Sequence, residues 1–226
     1  MAYAQPRPGQ PIRRDGKPYI WVTWLAKLLG GQQCVWSAWF KAHFKYAKFE
    51  QDGAQLAEWN REHTALMRSI VDDLRENGWS VSVEGQNEFK LEGKTAVVAG
   101  KADVIATMPG HVLVVDGKTG RERESDWWQV FVYLFALEAE RPELLAGNKV
   151  NGEVIYKTGD QQHLRMSDLN EARRDDLVRM IKMVASDTEP PRAPSRGECL
   201  RCNIGPSDCP QRFVESSRET TEVAAF

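Results

Sequence analysis

Gly100-Lys101-Ala102-Asp103-Val104-Ile105, followed by Val112-Leu113-Val114-Val115-Asp116-Gly117-Lys118-Thr119-Gly120, is the stretch on which the fold turns. The first segment is apolar on both sides of Asp103, and the second is a continuous valine-rich run that ends at Asp116. Such runs belong to strands buried on both faces, hence central in a sheet. A carboxylate in a strand of that kind is costly unless it is paired or holds a metal. Two adjacent strands that each put one carboxylate at a buried position form a candidate site for a hard cation. Period-two geometry puts Asp116 and Lys118 on one face. A lysine beside metal-binding carboxylates suits phosphodiester hydrolysis, where it orients water or neutralises charge on the phosphorane. Taken alone, Asp116-Gly117-Lys118 also reads as a strand-end turn with a solvated ion pair.

Outward from this stretch the pattern alternates. Upstream, the spacing predicts strands over 79–91 and 95–107, parted from each other and from 112–118 by the turn sequences Glu92-Gly93-Lys94 and Pro109-Gly110. Before them, Leu56, Trp59, His63, Leu66, Ile70 and Leu74 recur at helical steps, and Asn77-Gly78 closes that helix. A further helical region is expected from Ile20 to Phe49, broken at Gly30-Gly31 just before Cys34. Downstream, Ser125 is a candidate cap for a helix running to about Glu140. Trp127, Trp128, Val130, Phe131, Val132, Leu134, Phe135 and Leu137 make that helix apolar nearly all round, hence buried. Its polar exceptions, Gln129 and Tyr133, stand four residues apart on one face, and buried polar groups need partners. Two shorter strands follow, near 150–157 and 163–166. Ser167 then starts an amphipathic helix with Leu177, Ile181 and Val184 facing inward. The order is that of an α/β domain with a central mixed sheet.

Composition bounds the rest. The chain has 226 residues, 42% hydrophobic and 27% charged, which is ordinary for a globular protein. The net charge of −2 speaks against wrapping nucleic acid over a broad basic surface, yet leaves room for a local basic groove. No apolar run approaches the ~20 residues of a membrane span, and the first ten residues lack a secretory apolar core. A cytoplasmic location is expected. Residues 1–18, rich in Pro, Gly and Arg, are expected as a flexible arm, and 214–226 as a disordered tail, around a single domain over 19–213.

As a set, His63, Gly100-x-x-Asp103, Asp116-x-Lys118 and Gln129-x-x-x-Tyr133 resemble the RecB-type branch of the PD-(D/E)XK nuclease superfamily. The resemblance implies that His63, Asp103 and Asp116 hold Mg²⁺ or Mn²⁺, with the backbone carbonyl of Gly117 as a further ligand. It makes Lys118 the catalytic lysine and gives Gln129 and Tyr133 the task of orienting the site and the DNA strand. One departure is Gly117, where relatives carry a bulky residue; glycine is the looser choice. A lone helical histidine such as His63 is, without that resemblance, an ordinary surface or half-buried residue. His43, His111 and His163 have no comparable setting.

Four cysteines remain: Cys34, Cys199, Cys202 and Cys209. In a reducing compartment metal ligation is a better reading than disulfides. Four thiolates suit Zn²⁺ or a four-iron cluster equally. One cysteine before the core and three after it resembles the CRISPR-associated Cas-four exonucleases and, more distantly, the AddB nuclease domain. That resemblance implies a [4Fe–4S] cluster, although the usual Cys-Pro context at the first cysteine is absent here.

Together these features lead us to expect a divalent-metal-dependent DNA exonuclease acting on single-stranded ends, with Trp24, Trp36 and Trp39 as core residues or stacking surfaces. The expected role is CRISPR spacer acquisition beside an integrase. The alternatives are recombination or repair, a phage-associated nuclease, a zinc-stabilised restriction-type endonuclease, and a non-catalytic DNA-binding subunit.

Overall fold

The valine-rich run becomes the middle of the largest sheet. The structure, a computed structural model, describes residues 10–49 and 53–213. The first half contains β1 (Ile12–Arg13), β2 (Tyr19–Trp21), α1 (Val22–Leu29), α2 (Val35–His43), β3 (Phe44–Lys45) and α3 (Gly53–Glu76). Then come β4 (Ser80–Val83), β5 (Glu88–Glu92), β6 (Val97–Lys101), β7 (Val104–Met108) and β8 (His111–Lys118). The chain ends with α4 (Glu124–Glu140), α5 (Pro142–Leu145), β9 (Lys149–Tyr156), β10 (Gln161–Arg165), α6 (Glu171–Ala185) and α7 (Arg196–Leu200).

Five strands form the main sheet in the order β10-β9-β8-β7-β4. In it β8 runs parallel to β9 and antiparallel to β7, so the sheet is mixed. The period of two sorts β8 cleanly. Val112 and Val114 pack with α4, while Leu113 and Val115 pack with Ile70, Val71 and Leu74 of α3. A helix on each face thus buries both sides of the strand. Each such side chain contributes about 1.5–3 kcal/mol when removed from water. The result is a mixed α/β architecture, as the sequence implies.

Several boundaries differ from expectation. The strands expected over 79–91 and 95–107 are each split. Asn87, which is buried, donates through Nδ2 to Ser82 O and Ala102 O and receives the Ser82 hydroxyl at Oδ1. These bonds redirect the backbone at both breaks. The inner halves, β5 and β6, join β2 in a second sheet, while the outer halves, β4 and β7, stay in the main one. Asp103 accordingly lies between β6 and β7 rather than inside a strand. Ile20 and Trp21, expected as the start of a helical region, form with Tyr19 a strand parallel to β6. Within the opening stretch read as an arm, Ile12 and Arg13 pair with Lys45 and Phe44, and Pro18 O accepts from Val97 N–H. Residues 1–9 of that arm and the tail 214–226 lie outside the described residues. The expected caps also move. Arg123 N–H is bound by Asp126 at the start of α4, and Asn170, not Ser167, caps α6 through Arg173 N–H. Among the described residues no helix is long and apolar enough to cross a membrane.

Candidate active site and cysteine module

The face sorting of β8 decides which of its last residues meet which helix. Asp116 and Lys118 share the face of Val112 and Val114, so both turn toward α4, where Gln129 waits. Asp116 is wholly buried. Its Oδ2 lies 2.6 Å from Lys118 Nζ, and its Oδ1 accepts from Gln129 Nε2 at 2.8 Å. The same Nε2 donates to the Tyr133 hydroxyl at 2.7 Å, and Gln129 Oε1 accepts from Lys118 Nζ at 3.1 Å. The amide therefore uses both N–H groups and its oxygen on the three other members of the set. The four-residue spacing on α4 produces this directly, since positions i and i+4 are neighbours on a helix.

Gly117 points the other way, toward α3. A Cβ there would come within 2.6 Å of Met67 Sδ, so the close approach of α3 favours a glycine and confines this residue by packing. Its N–H donates to Asp103 Oδ2 at 3.0 Å, which draws the loop carboxylate to the end of β8. His63, one helical turn before Met67, places Nε2 3.6 Å from the same oxygen. All seven candidates, His63, Asp103, Asp116, Gly117, Lys118, Gln129 and Tyr133, line one open cleft of about 810 Å³.

The electrostatics follow from burial and proximity. Burial pushes the Asp116 carboxyl up to about 7, against the opposing pull of Lys118. Burial alone would lower the Lys118 ammonium, but Asp116 beside it outweighs burial and the net direction is upward. The Asp103 carboxylate beside its ring raises His63, against burial. Burial, reinforced by both carboxylates, holds Tyr133 well above an ordinary phenol.

Two carboxylates and an imidazole are a donor set suited to Mg²⁺ or Mn²⁺. Asp116 Oδ2 adds a more specific sign. It is buried, and the lysine contact at 2.6 Å is an ion-pair distance without the direction of a hydrogen bond. Such an oxygen has a lone pair to give. As the side chains stand, Asp116 is engaged by Lys118 and Asp103 by Gly117. Among the described residues no three His, Cys, Asp or Glu side chains converge on the position of a single ion. The residues fit the group chemically, with the carboxylates now turned to protein partners.

The four cysteines, none of them in a disulfide, come together although most of the chain separates them. They line one cavity of about 220 Å³. The loop that carries three of them is strapped to the first half of the chain. Lys48 forms a bridge with Ile204, Phe49 N–H donates to Asn203 O at 2.8 Å, and the Tyr46 hydroxyl donates to Asn203 Oδ1 at 2.9 Å. Trp36, Trp39, Phe40 and Ile204 pack around Cys209. Lys41 lines the cavity too, and is buried without an ion-pair partner among the described residues. Thiols arranged around a space, with a buried cation beside them, suit a four-iron cluster, whose ligands surround a cube rather than one atom.

Trp36 and Trp39 are core residues, bound through Nε1 to Glu189 and to Ser186 O. Trp21 and Trp59, which sequence reading did not single out as stacking surfaces, are exposed and border the candidate cleft. The stripe on α3 that includes Trp59 looked continuous. Among the side chains described, Trp59 is exposed and those from Leu66 onward meet the sheet.

No curated protein matches the chain. A solved structure described as "Crystal structure of SSO0001" aligns with 89% of this chain and 90% of its own, at 17% identity and a TM-score of 0.48. The family model of the PD-(D/E)XK nuclease superfamily matches residues 28–210, a span that contains all seven candidate residues of the cleft and all four cysteines. By that match the chain belongs to the PD-(D/E)XK nuclease superfamily.

Proposed function

We propose that the chain is a divalent-metal-dependent DNA exonuclease acting on single-stranded ends, stabilised by a [4Fe–4S] cluster on Cys34, Cys199, Cys202 and Cys209. The observation that carries the nuclease reading is the hydrogen-bonded set Asp116, Lys118, Gln129 and Tyr133, in one cleft with Asp103 and His63. His63, Asp103, Asp116 and the Gly117 carbonyl oxygen would hold Mg²⁺ or Mn²⁺. The bound cation supplies Lewis acidity and an activated water for phosphodiester hydrolysis. Lys118 keeps its proton because Asp116 holds it, so its ammonium can offset charge that grows on the phosphate. Gln129 fixes Asp116 and Lys118 relative to each other, and Tyr133, which stays protonated, keeps a hydroxyl proton to donate in the cleft.

The cluster reading rests on the four-thiol cavity and on the resemblance of the one-plus-three cysteine pattern. In biological role we place the protein in trimming DNA for CRISPR spacer acquisition, beside an integrase, because that cysteine pattern accompanies such exonucleases. Recombination, repair and phage-borne degradation draw on the same chemistry.

The experiment compares linear single-stranded DNA, labelled at one end, with a closed single-stranded circle in Mn²⁺. The linear strand should shorten progressively while the circle persists. Circles opened as fast as linear strands are shortened would contradict exonucleolytic action.

A further inference from the structure

The catalytic cleft and the cysteine cavity share part of their walls. Thr23, Lys27 and Arg123 line both. The arrangement follows from how α1 ends against α4. A Cβ on Gly30 would meet the backbone nitrogen of Ser125 at 2.5 Å, and the Ser125 hydroxyl donates to Gln32 Oε1 at 3.1 Å. Lys27 in the last turn of α1 and Arg123 just before α4 therefore stand at the junction of the two hollows. Arg201, on the cysteine loop, lines the far one.

Among the described residues no ion pair involves the side chain of Lys27, Arg123 or Arg201. Burial lowers the Lys27 ammonium first, and Lys118, Arg201 and Arg123 then lower it further, with only Asp126 opposing. Like charges gathered without partners at the meeting of two hollows make a local positive field in a chain whose net charge is −2. A polyanion that enters from outside relieves it.

A second observation concerns bases rather than phosphates. Trp21 and Trp59 border the proposed catalytic cleft and are 42% and 48% exposed, so two large aromatic side chains stand open to solvent at its edge. Trp59 lies flat on the His63 ring, with centroids 5.1 Å apart and planes 18° from parallel, which holds its position beside the candidate metal ligand. Aromatic faces of this kind bind unpaired bases by stacking, whereas bases inside a duplex are stacked on one another.

We propose that one unpaired DNA strand stacks on Trp21 and Trp59, crosses the catalytic cleft, and continues past Lys27, Arg123 and Arg201 toward the cysteine cavity. This path rests on the nuclease reading and gives it a structural reason for preferring single-stranded ends. The cysteine module then has a second task, since it forms one bank of the strand's route.

The test measures binding of a labelled single-stranded oligonucleotide, and of a hairpin duplex of equal length, to the full chain without divalent cations, so that nothing is cut. Trp59→Ala and Trp21→Ala should each weaken single-strand binding about fivefold or more, and leave duplex binding unchanged. Lys27→Gln, Arg123→Gln and Arg201→Gln should each flatten the dependence of log affinity on log salt by about 0.7. Melting curves that overlay the wild type show that a variant is folded. Arg201, exposed on its loop, supplies a variant with no buried contact to lose. Unchanged single-strand affinity and salt slope would overturn the path, as would equal losses for strand and duplex. Wild-type protein that degrades DNA while the variants bind normally would sink the path alone. Wild-type protein that neither binds nor degrades DNA would sink the nuclease reading with it.

Discussion

At the scale of single residues, Gln129 organises the site more than any charged group does. One amide joins Asp116, Lys118 and Tyr133, and each of its bonds is within 3.1 Å. The sequence put Gln129 and Tyr133 on one face of α4, and Asp116 and Lys118 on one face of β8, because helical and strand periods are fixed by backbone geometry. That these two faces meet depends on how the helix packs on the sheet, which no local period encodes. His63 belongs to a different helix, and its approach to Asp103 at 3.6 Å is set by α3 lying over the end of β8. Replacing His63 with Ala should weaken Mn²⁺ affinity and raise the metal concentration needed for half-maximal hydrolysis, at little cost in fold stability. A metal titration that overlays the wild type would return His63 to a structural role.

At the scale of elements, α4 is held close to the sheet by a glycine. A Cβ on Gly152 of β9 would come within 2.3 Å of Val130 Cγ1, and valine is stiff about its first torsion. Gly152→Ala should therefore lower stability by about 1–3 kcal/mol, read as a shift of the denaturant midpoint, because the overpacked core has nowhere to yield. An unchanged midpoint would show that α4 rides higher than described. Elements of this kind were legible where hydrophobic runs are long. The 112–118 strand, the 55–76 helix and the 125–140 helix emerge within a residue or two. The splits at 84–86 and 102–103 are unequally marked: Glu84-Gly85-Gln86-Asn87 is a polar, glycine-bearing run of the kind that turns use, whereas Asp103 alone interrupts the apolar residues around it. What ends pairing there is a set of hydrogen bonds from Asn87, a residue whose partners are distant or non-repeating. The caps failed for a related reason. Ser125 is a good capping residue by type, yet its hydroxyl is spent on Gln32 and the capping falls to Asp126.

At the scale of the whole molecule, the cysteines join what the chain separates. Cys34 stands at the start of α2, and the other three follow α6, so ligation of one group by all four closes most of the chain into a single loop. Restricting so long a loop in the unfolded chain is worth about 4 kcal/mol or more in an entropy-only account. Total domain stabilities run to about 5–15 kcal/mol. Cys34→Ser and Cys202→Ser should accordingly reduce soluble yield and melting temperature, with activity falling alongside. Anaerobically purified wild type should be brown, with about four irons per chain. One zinc in a colourless protein would refute the cluster and leave the catalytic cleft untouched. The spacing of the cysteines was visible in the sequence, and the cavity they share was not, because it is built by the strap of Lys48 and Phe49 on the 203–204 segment.

The central claim, metal-dependent hydrolysis of DNA by the cleft at the end of β8, is tested most directly by one measurement. Wild type, Asp116→Ala and Lys118→Ala, each purified identically and shown to be folded, are incubated with single-stranded DNA in Mg²⁺ or Mn²⁺. Wild type should degrade the strand and stop on chelation. Each variant should lose at least about a hundredfold in rate, the scale expected when a group that stabilises the transition state is removed. Near-wild-type hydrolysis by either variant, or wild-type hydrolysis that persists in chelator, would contradict the account.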